Sequence, residues 1–246
     1  MVLALLPVAC GSALATRAAT SVDVTREAVT TLAAGRVESM PTGPVYIRFV
    51  SFTQPAGYLI NSKQHVPSIV YVETGTHRLT LAGQPPLDLQ AGQATFHQTV
   101  THTHINPGSD ASLWYSIAVW PSSARGQPLV DPIARAAFES DDLGAGVLPQ
   151  VPYSEVLRRV NIAAGGSGVP HRFGGLIAIY VLTGSLTIKV AHQPSLTLAA
   201  HQGSALLPDV DVQETDPQSE PAVFLEFVAT PVGRAFEVPN RAPPTR

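Results

Sequence analysis

Charge is scarce in this sequence: Asp, Glu, Lys and Arg make up 13% of its 246 residues, about half the usual share. Much of the surface must therefore be uncharged polar or apolar. The net charge is −3 and the Lys and Arg residues are scattered, so there is no basic field of the kind that nucleic acid requires. A single cysteine, Cys10, excludes an intrachain disulfide framework and any cysteine-rich zinc site. Several catalytic signatures are also missing: there is no G-x-S-x-G, no Gly-rich phosphate loop and no H-E-x-x-H. "GSGVPH", ending at His171, is followed by a strand pattern, and an anion cradle would need a helix there. What the chain does have is turn formers. Its 22 prolines and 19 glycines fit a β protein better than a helical one.

The apolar run in "MVLALLPVACGSALATRA" is too short to span a bilayer but suits the hydrophobic part of a secretory signal. Ala13-Leu14-Ala15 offers a small-x-small cleavage site, and Cys10 after Ala9 is similar to the lipidated cysteine of a bacterial lipoprotein. The lipobox match is imperfect, because Pro7 stands where leucine belongs. No Lys or Arg precedes the run, which fits a clipped start. Export, as a secreted protein or a lipoprotein anchored at Cys10, is the expectation; the alternative is an N-terminal strand of a cytoplasmic protein.

The chain repeats itself. "YVETGTHRLTLAGQPPLDLQAG" from Tyr71 and "YVLTGSLTIKVAHQPSLTLAAH" from Tyr180 share ten identities over 22 positions without a gap. "NPGSDASLWYSI" from Asn106 parallels "DPQSEPAVFLEF" from Asp216, so the spacing recurs at 109 and then 110 residues. A repeat this long, present twice, is a duplicated globular unit and not a solenoid. Within each copy, short alternating or apolar runs such as "YIRFVSF", "HRLTL" and "LTIKV" predict strands between turns. Gly75 and Gly184 fall at tight turns. Trp114, Tyr115 and Trp120 alternate with apolar residues, as core or as the lining of a barrel mouth.

"THTHINPG", Thr101 to Gly108, places His102 and His104 on one face of a predicted strand. His77 shares a face with Leu79 and Leu81, and its counterpart in the second copy is Leu186, which places it inside the first unit.

Each copy resembles a cupin, over roughly residues 44–120 and 155–230. The resemblance is carried by "HVPSIVYVETG" with "THTHINPG" in the first copy, and by "VNIAAGGSGVPHRFGGLIAIYVLTGSL" in the second. It implies an all-β protein of two tandem jelly-roll barrels. It also implies a site of three histidines and a glutamate for iron, manganese, zinc or nickel. The family's first motif, H-x-H-x3-E-x6-G, counted back from Gly184, falls on His171, Phe173 and Ile177. Counted back from Gly75 it falls on Ser62, Gln64 and Ser68, with His65 one residue out of register. The second motif, ending H-x3-N, matches His102 and Asn106; counted from Pro208 it places Gln213 in the second copy. His97 fits neither motif.

These assignments set the expectations. Residues 1–20 form a signal or lipoprotein segment, and 21–43 an extension with a short helix around "REAVTTLAAGRV". Residues 44–120 form the first barrel, 121–154 a packed linker whose "IARAAFES" is a helix or a strand, 155–236 the second barrel and 237–246 a tail. A metal in the first barrel would use His102 with His65, His77 or His104. The second barrel, keeping one motif ligand, is expected to be metal-free, with His171 and Gln213 facing a ligand and Phe173 and Ile177 filling the site. Glu226, among apolar residues, faces solvent or the second cavity with a raised pKa. Two functions follow: an exported bicupin that binds a small organic molecule, its ancestral metal site lost or altered; or a metal-dependent oxygenase or isomerase acting in the first barrel. A structural module, needing nothing from the cavities, is the third reading.

Overall fold

A computed structural model describes residues 26–62, 65–129, 131–143 and 148–239. The signal segment, Cys10 and the end of the tail lie outside the described residues. Among them there is no α-helix; apart from one 3₁₀ turn at Ser122–Ala124, the regular structure is strand.

In chain order the first ten strands are β1 (Glu27–Val37), β2 (Val45–Gln54), β3 (Leu59–Ser62), β4 (Ser68–Thr74), β5 (Thr76–Leu81), β6 (Leu87–Gln90), β7 (Ala94–His97), β8 (His102–Ile105), β9 (Ser112–Pro121) and β10 (Ala134–Glu139). The rest are β11 (Tyr153–Ile162), β12 (His171–Phe173), β13 (Leu176–Thr183), β14 (Ser185–Val190), β15 (Leu196–Ala199), β16 (Gly203–Leu206), β17 (Asp211–Thr215), β18 (Ala222–Pro231) and β19 (Glu237–Pro239). They form two antiparallel jelly-roll barrels. The first has an inner sheet β10-β2-β9-β4-β7 and an outer sheet β3-β8-β5-β6. The second has an inner sheet β1-β11-β18-β13-β16 and an outer sheet β15-β14-β17-β12-β19.

The two inner sheets follow one plan, as the duplication requires. They pack back to back, and this explains their sequences. A strand covered on both faces is apolar along its whole length. In β2, Val45, Ile47 and Phe49 enter the core shared by the barrels, while Val50 and Phe52 enter the first barrel. In β13, Ala178 and Tyr180 face the shared core, and Ile177, Ile179 and Val181 the second barrel. Phe49 stacks on Tyr180 across the interface with centroids 5.4 Å apart. Gly75 and Gly184 hold equivalent turns at φ 77° and 78°. A Cβ there would also press on Ser112 at 2.9 Å and on the Pro221 carbonyl at 2.7 Å, so glycine is required twice over.

The connecting segments differ from expectation. The predicted helix around "REAVTTLAAGRV" is β1, which pairs with β11 in the second barrel. Its alternation of small and apolar residues completes a sheet edge, and tertiary pairing overrides local helix preference. "IARAAFES" resolves to β10, which pairs with β2 of the first barrel. Each barrel's leading strand thus completes the other barrel's inner sheet. Aromatic-on-glycine contacts lock the exchange. A Cβ on Gly35 of β1 would fall 2.1 Å from the Phe96 ring, and one on Gly203 would fall 2.7 Å from the Phe138 ring of β10. The tail begins inside the fold as well, because β19 pairs with β12.

Candidate metal centre

Strand alternation decides which side chains enter the first barrel. On β8, His102 and His104 are buried and Thr103 is turned outward. His104 lies deep against Trp114 and is 4% exposed. The reason is Asn106, whose side chain closes the inner end of the strand. Its Nδ2 donates to the carbonyls of Gln54 (2.9 Å) and Asp110 (2.7 Å), and its Oδ1 accepts from Gly108 N–H (2.9 Å).

Five histidines divide into two groups. His77 and His104 pair behind the site, with Nε2 of one 3.0 Å from Nδ1 of the other, and both rings lie against Trp114. Trp114 stacks on Phe52 at 4.0 Å and donates its indole N–H to Gln54 at 2.8 Å. Burial holds His77 down to about 3 and His104 well below the usual imidazole range, so both are neutral.

His65, His97 and His102 form the other group, and one ring nitrogen of each lies within 4.8 Å of the other two. His65 follows the end of β3 in an irregular segment, where the two-face rule of a strand no longer applies. That removes the register objection raised by the sequence. His97 matched no motif. It ends β7 directly across the ladder from Ser68, the position where the family's glutamate falls. Comparing the copies would have found it, because its counterpart opposite Ile177 is Leu206.

The hydrogen bonds of this trio are alike. His65 Nδ1 is 2.7 Å from the Val66 carbonyl, His97 Nδ1 3.0 Å from that of Gln98, and His102 Nδ1 2.7 Å from that of Val100. A carbonyl only accepts, so each Nδ1 carries the proton and each Nε2 presents a lone pair. Carbonyls that accept from the far ring nitrogen are what orient metal-binding histidines. His97 Nε2 accepts from Ser68 Oγ at 2.9 Å. His65 Nε2 and His102 Nε2 face each other at 3.2 Å, two lone pairs that repel unless a cation lies between them. Burial lowers all three pKa values, that of His97 to about 4. Three neutral imidazoles fit a borderline divalent metal.

His65 connects this trio to two spaces. A pocket of about 30 Å³ lies inward, beside His104, Trp114, Ser116 and Trp120, about the volume share of one water. A cavity of about 510 Å³ lies outward, walled by Val37, Met40, Pro41, Val66, Pro67 and Val119. Among the described residues its one carboxyl is Glu155 of β11, reaching across from the second barrel's sheet. Glu155 is 1% exposed, its Oε2 has no hydrogen-bond partner, and burial raises its pKa to about 8.

The second barrel departs from its expectation in two ways. Gln213 is turned away from the interior and donates to the Gly168 carbonyl at 3.2 Å. The inward residues of β17 are Val212 and Glu214, as the spacing of 110 residues through Asp216 indicates; counting from Pro208 slipped by one residue and so by one face. His171 and Phe173 point inward, and Ile177 is buried beside them. The ligand count that predicted no metal also left out two carboxylates: Glu214, and Glu226, which faces the second cavity with a raised pKa, the second of its two expected placements. Glu214 and Glu226 converge with His171, all buried, their ligand atoms within 4.8 Å of one another. Burial pushes Glu226 up to about 7 even though Arg158 donates to it at 2.7 Å.

No protein-family model matches the chain, and no curated protein sequence matches it. Solved structures do. An oxalate decarboxylase mutant from Bacillus subtilis superposes with a TM-score of 0.58 at 10% identity, covering 83% of this chain and 78% of its own. The formate complex of the Lactobacillus farciminis oxalate decarboxylase gives 0.58 at 11% identity, over 83% of this chain and 88% of that one. At this identity the likeness establishes the fold alone, two tandem jelly-roll barrels.

Proposed function

We propose that the first barrel holds one divalent transition metal on His65, His97 and His102, and presents it to a small, mostly apolar organic molecule in the adjoining cavity. The observation that carries this reading is the trio itself: three Nδ1–H groups anchored on carbonyls, and three Nε2 atoms converging beside a cavity of about 510 Å³. Catalytic sites keep three protein ligands and an open position, whereas structural sites are closed, and His65 of the trio also lines the cavity. This favours the altered-site, enzymatic reading over a barrel that works by shape alone.

A metal bound there would supply Lewis acidity toward an oxygen of the bound molecule. The chain's own residues do the rest. The carbonyls of Val66, Gln98 and Val100 fix the three rings. Trp114, Phe52 and the neutral His77–His104 pair form the floor behind them. Glu155, protonated at neutral pH, offers an O–H donor at the cavity wall. The structural neighbours are oxalate decarboxylases, but among the described residues lining this cavity there is no Arg or Lys. A mostly apolar molecule with one polar oxygen suits it better than a small dianion.

Metal content of the purified chain, followed by calorimetric titration of the metal-free protein with zinc, manganese and iron(II), tests the reading. His97→Ala should weaken binding by about 100-fold or more, since it removes a ligand where even a supporting group is worth 10–100-fold. Equal binding by wild type and variant would overturn it. Export belongs to the same proposal and rests on the apolar run ahead of Ala15. Mass spectrometry of the mature N-terminus tests it: the chain should begin at a lipidated Cys10 or just after Ala15.

A further inference from the structure

We infer that the second barrel contains its own buried cation site, built from His171, Glu214 and Glu226, which ties its two sheets together. Only His171 comes from a cupin motif position; both carboxylates come from elsewhere, so this ligand set differs from the one the motifs predict.

The argument starts from unsatisfied atoms. His171 Nδ1 lies 2.7 Å from the Val169 carbonyl and so carries the proton. Its Nε2 is then an acceptor, and it is buried without a partner. Glu214 is 1% exposed, and neither carboxylate oxygen has a hydrogen-bond partner. Its Oε1 is 3.9 Å from His171 Nε2, too far for a hydrogen bond and a suitable span for two ligands of one ion. Buried polar groups are almost always paired. Here three unpaired acceptor atoms from two residues meet at one point, with Glu226 as the third side chain.

The charges nearby point the same way. Arg158 binds Glu226 and also Glu237, at 2.7 Å. Glu27 acts on both Glu214 and Glu226. Three carboxyl groups, Glu214, Glu226 and Glu237, therefore face the one guanidinium of Arg158, and a divalent cation would offset the charge of Glu214 and Glu226 when they ionise. One imidazole with two carboxylates selects a borderline ion such as zinc, manganese or iron(II); magnesium and calcium favour all-oxygen sites.

Position gives the site its role. β12 has only three residues and pairs with β17 and β19 in the outer sheet. Glu226 lies on β18 of the inner sheet. An ion on His171, Glu214 and Glu226 pins this short strand and bridges the sheets. The surroundings are apolar: the Phe173 ring meets His171 edge-on at 4.4 Å, and Val212 and Val228 belong to the same core. This is a closed structural site, unlike the trio in the first barrel.

The full-length chain, prepared metal-free and titrated with zinc, should bind about two equivalents, because each barrel supplies one site. Glu214→Gln keeps the shape and should lower this to about one, while His102→Ala should remove the other equivalent. Zinc should raise the melting temperature of His102→Ala, where only the second site remains, and circular dichroism should show native strand content. If wild type binds about one equivalent, lost in His102→Ala and unchanged in Glu214→Gln, the second barrel is held by protons and this inference falls while the first-barrel proposal stands. If Glu214→Gln does not fold, the stoichiometry of wild type and the zinc response of His102→Ala decide the matter, and no response overturns the inference.

Discussion

Replacing Glu155 with Gln should change how stability depends on pH more than it changes stability itself. The carboxyl is 1% exposed, has one oxygen without a partner and titrates near 8, against 4.5 for the ordinary group. Burial is the cause. The sign follows from proton counting. Between about pH 4.5 and pH 8 the folded chain keeps a proton here that the unfolded chain has released, so this group makes stability fall as pH rises. At 1.36 kcal/mol per unit, the loss reaches roughly 3 kcal/mol by pH 7. Below pH 4.5 it vanishes. Gln keeps the shape and a donor but does not titrate. Urea unfolding of both proteins in chelator, followed by tryptophan fluorescence at half-unit steps from pH 4.5 to 8, gives the difference directly. The variant should gain on wild type steadily across that range. Parallel curves would mean that the carboxyl titrates normally, and the account of a dry, unpaired Glu155 would be wrong. A wild type that gained with pH would reveal a cationic partner.

Other perturbations test other parts of the structure. Gly35→Ala should cost about 1–3 kcal/mol, because its Cβ would overlap the Phe96 ring at 2.1 Å. Adding Phe96→Ala should recover part of that loss in a double-mutant cycle measured by chemical denaturation. Trp114→Phe leaves the buried Gln54 Oε1 without its 2.8 Å donor and should cost about 1–3 kcal/mol by the same measurement. His65→Ala should abolish tight metal binding in the first barrel, while His77→Ala should leave the stoichiometry unchanged; elemental analysis of both separates the trio from the pair behind it.

The strands, the duplication and the all-β class were legible because they depend on local alternation and on a repeat that survives in "YVETG" and "YVLTG". The site was legible in part. His102, His65 and His77 were marked by motif or by face, but the partition of the histidines depends on which strands adjoin. His97 belongs to the trio only because β7 pairs with β4. Gln213 failed because one residue of slip exchanges the two faces of a strand, and Glu214, its neighbour, holds the inward position. The strand β1 and the pairing of β10, which the sequence left as helix or strand, were unreadable for a different reason. Their partners lie in the other half of the chain, and no local pattern encodes that.

That crossing of leading strands has the form of a domain swap. A single barrel that laid its leading strand on a second copy, and received that copy's strand in return, would make a two-fold homodimer with this same back-to-back contact. Within one chain the linker acts as a tether, which keeps the partner at high effective concentration. The two halves differ where it matters, with His77 and His97 in one where Leu186 and Leu206 stand in the other. Cutting the chain between β9 and β10 and co-expressing the pieces would return the fold to its bimolecular form, each fragment carrying the edge strand that the other lacks.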